Sequence, residues 1–302
     1  QLKLREVPDP IPGDEQVLVK VEAVSMNDWD LGLIQGKPLA NRMISGMLKP
    51  RIDQVGCDFA GTVVDTGERV YGDMSNHGFG TFAEYLAAPK ECLTPIPEGM
   101  TFSQAASIPQ AGMLAYQGLI DLGRLKQGQK VLFNGAGGGV GTLGIQIAKL
   151  YGAEIHAIDS AGKLEMLKQL GASRTFDYIE EDYAVSGETY DLILDAKTSR
   201  PPFAYLKVLK PGGRYITVGG ASSHLMGIHF MGRLIRWFTG KTTRLVFLKT
   251  NKDLPYFNRL FLEGKLRPVI GGEFRFEQLP EAMQYYAEGH FKGKVLVSSE
   301  IH

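Results

Sequence analysis

The sequence has little that would mark it as a secreted or nucleic-acid-binding protein. Of its 302 residues, only Cys57 and Cys92 are cysteines, too few for the disulfide framework of a small secreted domain. Lysine and arginine total 33, and so do aspartate and glutamate, so no excess charge attracts nucleic acid or anionic lipid. We therefore expect a cytoplasmic protein whose partner is a small molecule rather than nucleic acid.

The chain also lacks recognisable membrane and targeting segments. The apolar stretch from His224 to Arg244 is interrupted by His229, Arg233 and Arg236, so it is not a membrane span. We do not expect membrane contact, and an amphipathic helix lying on a membrane is the alternative. The first residue is Gln1 rather than methionine. A strand or a targeting segment in front of Gln1 is therefore an open alternative to a chain that begins there.

The pattern of the sequence changes along the chain. Short β-rich runs separated by glycine and proline extend from Glu15 to Pro97 and indicate an all-β half. From Lys130 onward, strands, glycine turns and helices alternate, which is typical of a parallel sheet covered by helices. A last strand, 293–298, is expected to return to the N-terminal half.

Six strands of the second half can be read from apolar and β-branched runs. Six parallel strands with crossover helices form a complete, doubly wound α/β dinucleotide-binding sheet of the Rossmann type. We place one domain at 107–250 and the other at 1–106 together with 251–302. The predicted strands are 131–134, 154–158, 174–176, 190–194, 214–218 and 245–248.

The clearest motif is the glycine turn that follows the strand ending at Asn134. Gly138 lets the backbone approach a pyrophosphate, and Gly141 lets the following helix lie close to the strand. The first amides of that helix face the anion. Ala136 replaces the first glycine of the usual G-x-G-x-x-G pattern. We predict cofactor contacts from Ala136, Gly138, Gly139 and Val140.

The residues after the second strand bear on which nicotinamide cofactor is bound. Asp159 suits the hydroxyls of an adenosine ribose and so favours NAD(H). Ser160 and Lys163 suit a 2′-phosphate and so favour NADP(H). Both alternatives stay open, and we favour NADP(H). Later strands should bring Asp195, Gly219, Gly220 and Asn251 to the cofactor, because ligands bind outside the carboxyl ends of such strands.

Five further motifs, together with the glycine turn, resemble the medium-chain dehydrogenase/reductase superfamily in its zinc-free quinone oxidoreductase-like branch. They are VSMNDWD at 24–30, GCDFAGTVV at 56–64, FGTFAEY at 79–85, QAGMLAY at 110–116 and EGHFKGKV at 288–295. The resemblance covers nearly the whole chain and implies a GroES-like catalytic domain and a homodimer. It also implies a longer turn than the one at Gly67, so either this loop is short or residues are absent there.

The resemblance also addresses metal binding. Zinc-dependent relatives place their catalytic ligands where this chain has Asn27, Cys57 and Gln110, and of these only Cys57 binds zinc well. We therefore expect no metal, and we interpret Cys57 as a small buried residue.

Without a metal, a conjugated enone or quinone is a better hydride acceptor than a simple carbonyl, because it spreads the developing negative charge. The resemblance implies that Asn27 lies near nicotinamide and substrate and that Tyr178 lies near the adenosine. Tyr71 is a second candidate for a hydrogen-bond donor to the substrate oxygen, after the Asn27 amide. Trp29, Phe79 and Trp237 are candidates for the walls of an apolar pocket, with ordinary core packing as the alternative.

The sequence therefore predicts an NAD(P)H-dependent, zinc-independent oxidoreductase that reduces quinones or α,β-unsaturated carbonyl compounds. Two alternatives remain. One is a zinc-free alcohol dehydrogenase or carbonyl reductase, and the other is a non-catalytic NADPH-binding sensor or scaffold protein.

Overall fold

The computed structural model describes residues 2–36, 54–220 and 222–299, and it divides into two compact units. The first unit combines residues 1–113 with 249–302, and the second contains residues 114–248. The chain thus leaves the first unit after Met113 and returns to it at Lys249. Sequence reasoning placed these two crossings after residues 106 and 250.

The first unit is built on a seven-stranded sheet. Numbered along the chain, its strands are β1 (Gln16–Ser25), β2 (Asp58–Val63), β3 (Arg69–Asp73), β4 (Tyr85–Pro89), β5 (Thr94–Pro95), β12 (Ile270–Phe274) and β13 (Lys294–Ser298). Their order is β12-β13-β1-β2-β3-β5, and β4 also pairs with β1. Within the described residues, the α-helices of this unit are α1 (Asp28–Gln35), α2 (Phe102–Ala106), α8 (Leu254–Leu262) and α9 (Leu279–Glu288), while α3 (Pro109–Tyr116) contains the first crossing.

Strand β1 is central to this unit because it pairs with three other strands. In its first half the side chains alternate, with Val19 and Val21 buried and Lys20 exposed between them. From Ala23 to Ser25 every residue is buried, so both faces of the strand are covered there. Residues that follow directly, such as Asn27, therefore begin in the protein interior.

The second unit contains a six-stranded sheet in which every neighbouring pair is parallel. Its strands are β6 (Lys130–Asn134), β7 (Glu154–Asp159), β8 (Arg174–Asp177), β9 (Tyr190–Asp195), β10 (Leu209–Thr217) and β11 (Thr242–Leu245). Its helices are α4 (Gly139–Leu150), α5 (Ala161–Leu170), α6 (Pro202–Leu206) and α7 (Ser222–Thr239). The order β11-β10-β9-β6-β7-β8 reverses direction between β6 and β9, which is the doubly wound arrangement. The predicted fold class is thus confirmed.

The position predicted for the sixth strand was wrong. We expected it at 245–248, on the apolar run Leu245-Val-Phe-Leu, but β11 covers Thr242–Leu245. It pairs in register from Arg214 with Thr242 to Thr217 with Leu245. An edge strand has one neighbour and needs few buried positions, so β-branched threonines serve here, and Phe247 lies beyond the strand with 70% of its surface exposed.

Helix α7 includes most of the apolar stretch considered above as a membrane segment. Within the described ranges, no helix combines the length and apolar character needed to cross a membrane.

Candidate functional site

In the second unit, the glycine turn connects β6 to α4 at the point where the strand order reverses. Gly138 is the N-cap of α4, and the helix begins at Gly139. A Cβ atom placed on Gly138 would meet only the Gly135 carbonyl oxygen, at 3.9 Å, so its own surroundings are open. The first amides of α4, including those of Gly139 and Val140, are therefore at a helix N-terminus suited to an anion.

Gly141 is required for a different reason, the close packing of the helix on the turn. A Cβ atom there would lie 2.2 Å from the oxygen and 2.4 Å from the Cα of Ala136. Ala136 is itself fully buried, and its N–H donates to the Ile158 carbonyl at 3.0 Å. Ala136 thus shapes the turn through its backbone, and any side chain at Gly141 would displace it.

Asp159 ends β7 and is tied to the glycine turn. Its Oδ2 accepts the Gly137 N–H at 2.7 Å, and its Oδ1 accepts the Ser160 N–H at 2.9 Å. The Lys163 ammonium lies 3.4 Å from Oδ1. Both side chains of this ion pair are about nine-tenths buried, at 10% and 9% exposure. The carboxylate is therefore neutralised by a cation, which reduces its repulsion of a nearby phosphate.

Tyr178 follows β8, next to the end of β7. Its N–H donates to the Asp159 carbonyl at 3.3 Å, and 60% of its surface is exposed. The backbone of Tyr178 thus adjoins the carboxyl end of β7, and a contact of its ring with the adenosine of a cofactor stays a prediction.

Asp195 ends β9 and organises the turn that follows. Its Oδ1 accepts N–H groups from Lys197 and Thr198, at 2.8 and 2.7 Å, and the side-chain amide of Asn134 at 2.9 Å. Its Oδ2 accepts the Tyr215 hydroxyl at 2.7 Å. With these four donors and no exposure, the carboxylate holds the turn in place rather than facing outward.

The two glycines of the turn after β10, Gly219 and Gly220, differ in how much space surrounds them. A Cβ on Gly219 would meet only the Ala196 oxygen, at 3.9 Å, whereas one on Gly220 would lie 2.4 Å from the Lys197 oxygen. Thr198, which the sequence reasoning missed, donates to the Gly219 carbonyl at 2.6 Å. Gly219 therefore leaves room for a ligand, and Gly220, at φ 126°, lets this turn pack on the previous one.

Asn251 belongs to the first unit, and its side chain is occupied there. Its Oδ1 accepts the Asp73 N–H at 2.8 Å, and its Nδ2 donates to the Asp73 carbonyl at 2.9 Å. The side chain thus pairs with the backbone at the end of β3 in the way a neighbouring strand would.

A buried polar cluster lies where α1 begins in the first unit. The Asn27 Nδ2 donates to Asp58 Oδ2 at 3.0 Å, and its Oδ1 accepts from the Lys294 ammonium at 2.7 Å. Lys294 lies 3.5 Å from Asp58 Oδ2, and the Ser25 hydroxyl donates to the same oxygen at 2.9 Å. All four residues are at most 5% exposed.

Asp30 and Cys57 adjoin this cluster. The Cys57 thiol donates to Asp30 Oδ1 at 3.1 Å, and the Asn27 N–H donates to Asp30 Oδ2 at 2.9 Å. Burial raises the pKa of Asp30 to about 7, and the nearby Asp58 charge adds to this increase. Burial also raises the pKa of the Cys57 thiol well above its usual value. Cys57 is therefore a buried, protonated thiol.

Two of the residues at the zinc positions of metal-dependent relatives have side chains engaged in ways that do not fit a zinc ion. The Asn27 oxygen faces an ammonium group, and the Cys57 thiol donates to Asp30. A cation next to the Lys294 ammonium would be repelled. In the ranges that the structure describes, no three side chains from histidine, cysteine, aspartate or glutamate converge as metal ligands.

Tyr71, the second candidate for a hydrogen-bond donor to the substrate oxygen, is fully buried in β3. Its hydroxyl donates to Asn258 Oδ1 at 2.8 Å and lies 3.3 Å from the Leu254 carbonyl. Its only hydrogen is thus used within the first unit, between β3 and α8.

The aromatic candidates for a pocket wall do not form one group. Trp29 stacks on Phe79 in the first unit, with ring centroids 6.5 Å apart, and 37% of the Trp29 surface is exposed. Trp237 belongs to α7 in the second unit and is 77% exposed.

Sequence reasoning missed Lys294, Asp58 and Asp30, which hydrogen-bond to Asn27. A signal was present, because Lys294 opens a strand whose five residues are all buried, and a lone lysine in such a strand needs a buried partner.

Family models match both halves of the chain. The alcohol dehydrogenase GroES-like domain matches residues 13–98, and the zinc-binding dehydrogenase model matches residues 170–297.

Curated relatives match along nearly the whole chain. A 2-methylene-furan-3-one reductase of Solanum lycopersicum is 31% identical over 94% of this chain and 72% of its own. The chloroplastic NADPH-dependent alkenal/one oxidoreductase of Arabidopsis thaliana is 31% identical with the same coverage. The chloroplastic quinone-oxidoreductase QR1 of Triphysaria versicolor is 30% identical over 98% of this chain and 93% of its own.

Solved structures agree with these relatives. The quinone oxidoreductase of Coxiella burnetii has a TM-score of 0.85 and 28% identity, with 99% of this chain and 95% of that chain covered. The quinone oxidoreductase of Thermus thermophilus, solved also with NADPH, has a TM-score of 0.75 and 26% identity, with 99% and 96% covered. The fold is thus that of a two-domain dehydrogenase. The chain belongs to the medium-chain dehydrogenase/reductase superfamily, in its zinc-free quinone oxidoreductase-like branch.

Proposed function

We propose that this protein is an NADPH-dependent reductase of quinones or α,β-unsaturated carbonyl compounds. The observation that carries the proposal is the open N-terminus of α4 at the reversal of the strand order, beside the Asp159–Lys163 ion pair. Relatives named for quinone, alkenal/one and methylene-furanone reduction support the same substrate class.

The cofactor is NADPH rather than NADH in this proposal. Gly138, Gly139 and Val140 hold the pyrophosphate at the helix N-terminus. Lys163 and Ser160 hold the 2′-phosphate, since the ammonium already offsets the Asp159 charge. Lys163→Met should raise the KM for NADPH by about tenfold and change that for NADH much less. Equal changes for the two cofactors would contradict this assignment.

Asn27 is the residue we assign to the substrate oxygen. Its Nδ2 carries two hydrogens, of which Asp58 accepts one, so the second can be donated to a carbonyl or quinone oxygen. Tyr71 is left out, because its hydroxyl is bonded to Asn258. When bound, reduced nicotinamide supplies the hydride, and a proton from water completes the hydroquinone or the saturated carbonyl product.

The test follows oxidation of NADPH and of NADH by the purified protein with a quinone, a conjugated enal and a saturated ketone, each with and without a chelator. The proposal expects chelator-resistant turnover of the conjugated acceptors. A preference for the saturated ketone would indicate an alcohol dehydrogenase or carbonyl reductase. Tight NADPH binding with no turnover would indicate a sensor or scaffold protein.

Asn27 has its own test within the same assay. Asn27→Ala should lower kcat with the conjugated acceptors by about a hundredfold, because a donor to the developing negative charge is lost. NADPH affinity, measured by direct binding, should stay within about twofold, since the cofactor contacts proposed above belong to the second unit.

We also propose that the protein is a homodimer. β11 is an edge strand of the described sheet, and near it Trp237, Phe238 and Phe247 are 77%, 74% and 70% exposed. A second copy would cover both the strand edge and these rings. Analytical ultracentrifugation of the wild type should give the mass of two chains. The double variant Trp237→Ser with Phe238→Ser should give a mass closer to that of a single chain.

For location we propose the cytoplasm, because the two cysteines are buried and free, as in proteins of reducing compartments. Recovery of the protein from an organelle fraction of the source cells would contradict this.

A further inference from the structure

Lys294 is an almost completely buried lysine, with 3% of its surface exposed. It begins β13, which pairs with the end of β1, and so its side chain reaches the residues that precede α1. Its ammonium donates to the Met26 carbonyl at 2.9 Å and to Asn27 Oδ1 at 2.7 Å, and lies 3.5 Å from Asp58 Oδ2. An ammonium has three hydrogens, so these three acceptors account for all of them.

The two neighbours of the Asn27 side chain fix which way its amide points. An ammonium only donates, so the atom facing Lys294 must be the amide oxygen. An ionised carboxylate only accepts, so the atom facing Asp58 must be the amide nitrogen. Rotating the amide by half a turn would put NH₂ against NH₃⁺ and oxygen against carboxylate, which both charges oppose.

The backbone of Asn27 is held as well, because its N–H donates to Asp30 Oδ2 at 2.9 Å. The Asp30 carboxylate thus holds the backbone of Asn27, and the Asp30 N–H faces the Asn27 side chain in a capping box. Lys294 and Asp58 are the two charged groups that flank the amide.

We infer that Lys294 is a positioning residue, which holds the Asn27 amide so that its second Nδ2 hydrogen is directed to the substrate oxygen. The inference rests on the function proposed above for Asn27. Lys294 does not touch the substrate in this account. It acts by preventing the amide from presenting its oxygen, which would repel an enolate or hydroquinone anion.

The inference predicts a specific pattern of kinetics. Lys294→Met should lower kcat with a conjugated enal by at least about tenfold and leave the affinity for NADPH within about twofold. Lys294→Arg keeps the donors and the charge and should restore most of the lost rate. In the Asn27→Ala background, Lys294→Met should cause no further loss of kcat, because there is no amide left to orient. An equal loss in both backgrounds would show a merely structural role and overturn the inference.

Removal of a buried cation leaves Asp58 without its ion-pair partner, which is strongly destabilising, so a second variant keeps the test decisive if Lys294→Met does not fold. The double variant Lys294→Met with Asp58→Asn removes both charges together. It should fold and still lose at least about tenfold in kcat, since neither side of the Asn27 amide is then fixed by a charge. A rate close to that of the wild type would overturn the inference.

An NMR measurement separates this inference from the proposed function. The side-chain NH₂ resonances of Asn27, assigned by their loss in Asn27→Ala, should show two hydrogens of clearly different chemical shift in the wild type, because Asp58 accepts only one of them. In the Lys294 variants this difference in chemical shift should shrink, because the amide samples more than one orientation, even if the wild type reduces none of the acceptors. Unchanged Asn27 resonances in the double variant would overturn the positioning role, whereas absent turnover with the expected NMR change would overturn only the proposed reaction.

Discussion

Asp58 and Asp73 lie directly opposite each other on the antiparallel strands β2 and β3, and both side chains are fully buried. Asp58 is well supplied with donors, which include the side chains of Ser25 and Asn27. Asp73 accepts the Ser75 N–H on one oxygen, and its other oxygen has no hydrogen-bond partner. Burial, together with the charge of Asp58, therefore raises the pKa of Asp73 to about 7.

This raised pKa predicts how stability depends on pH. The folded protein holds the Asp73 proton from the ordinary value of 3.8 up to about 7, so this group's contribution to the free energy of unfolding falls as pH rises through that window. Relative to Asp73→Asn, the wild type should lose roughly 1.4 kcal/mol per pH unit there. Denaturant unfolding at a series of pH values measures the difference. Asp65→Asn, at an exposed position in the same hairpin, should run parallel to the wild type, and a parallel curve for Asp73→Asn would contradict the raised pKa.

The glycine turn can be tested with two matched substitutions. Gly141→Ala places a Cβ 2.2 Å from the Ala136 oxygen, and backbone atoms cannot move aside as a flexible side chain can. We expect it to weaken NADPH binding at least tenfold and to destabilise the protein by about 1–3 kcal/mol. Gly162→Ala, in α5, meets nothing within 4 Å and should be neutral or stabilising by about 0.4–1 kcal/mol. Calorimetry of both variants with and without NADPH measures the effects, and equal behaviour would refute the role of close packing.

Tyr71→Phe separates a structural tyrosine from a catalytic one. The substitution leaves Asn258 Oδ1 without the hydroxyl that donates to it at 2.8 Å, so we expect a loss of about 1–2 kcal/mol in the free energy of unfolding. The value of kcat with a conjugated acceptor should stay within about twofold. Tyr178→Phe, on an exposed ring, should leave stability unchanged. A large fall in kcat for Tyr71→Phe would instead support the interpretation of Tyr71 as a hydrogen-bond donor to the substrate oxygen.

The two thiols should be unreactive in the folded protein. Cys57 and Cys92 are fully buried, and burial raises the pKa of Cys92 to about 12. Because thiolate is the reactive form, a disulfide reagent should label neither cysteine under native conditions and both after denaturation. Rapid native labelling of Cys57, identified by mass spectrometry, would show that the polar cluster opens in solution.

Much of the second unit could be predicted because its signals are local. The strand at Val131, the turn at Gly138 and the helix from Gly139 follow one another within a few residues, and each has its own pattern. The sixth strand was misplaced, because an edge strand such as β11 is determined by its pairing with β10 rather than by an apolar run.

The polar cluster of the first unit is not local, which is why its supporting residues were missed. Lys294 and Asn27 are separated by 267 positions and meet only because β13 pairs with β1. Of the residues that hydrogen-bond to one another in this cluster, the family resemblance indicated only Asn27 as a residue near the substrate. The same limit applies to Asn251, whose partner Asp73 lies 178 positions away.

The chain enters the second unit after Met113 and leaves it at Leu248, so that unit is an insertion between the two parts of the first. During translation, residues 114–248 emerge from the ribosome before β12 and β13 exist. The inserted unit can therefore fold while the end of β1, Ala23–Ser25, still lacks its β13 neighbour on one edge. Completion of the first sheet, and with it the support of Asn27 by Lys294, waits for the later segment. An exposed strand edge can pair with the wrong strand of the same or another chain. We therefore expect chaperones to shield a nascent chain of this architecture until β13 has paired with β1.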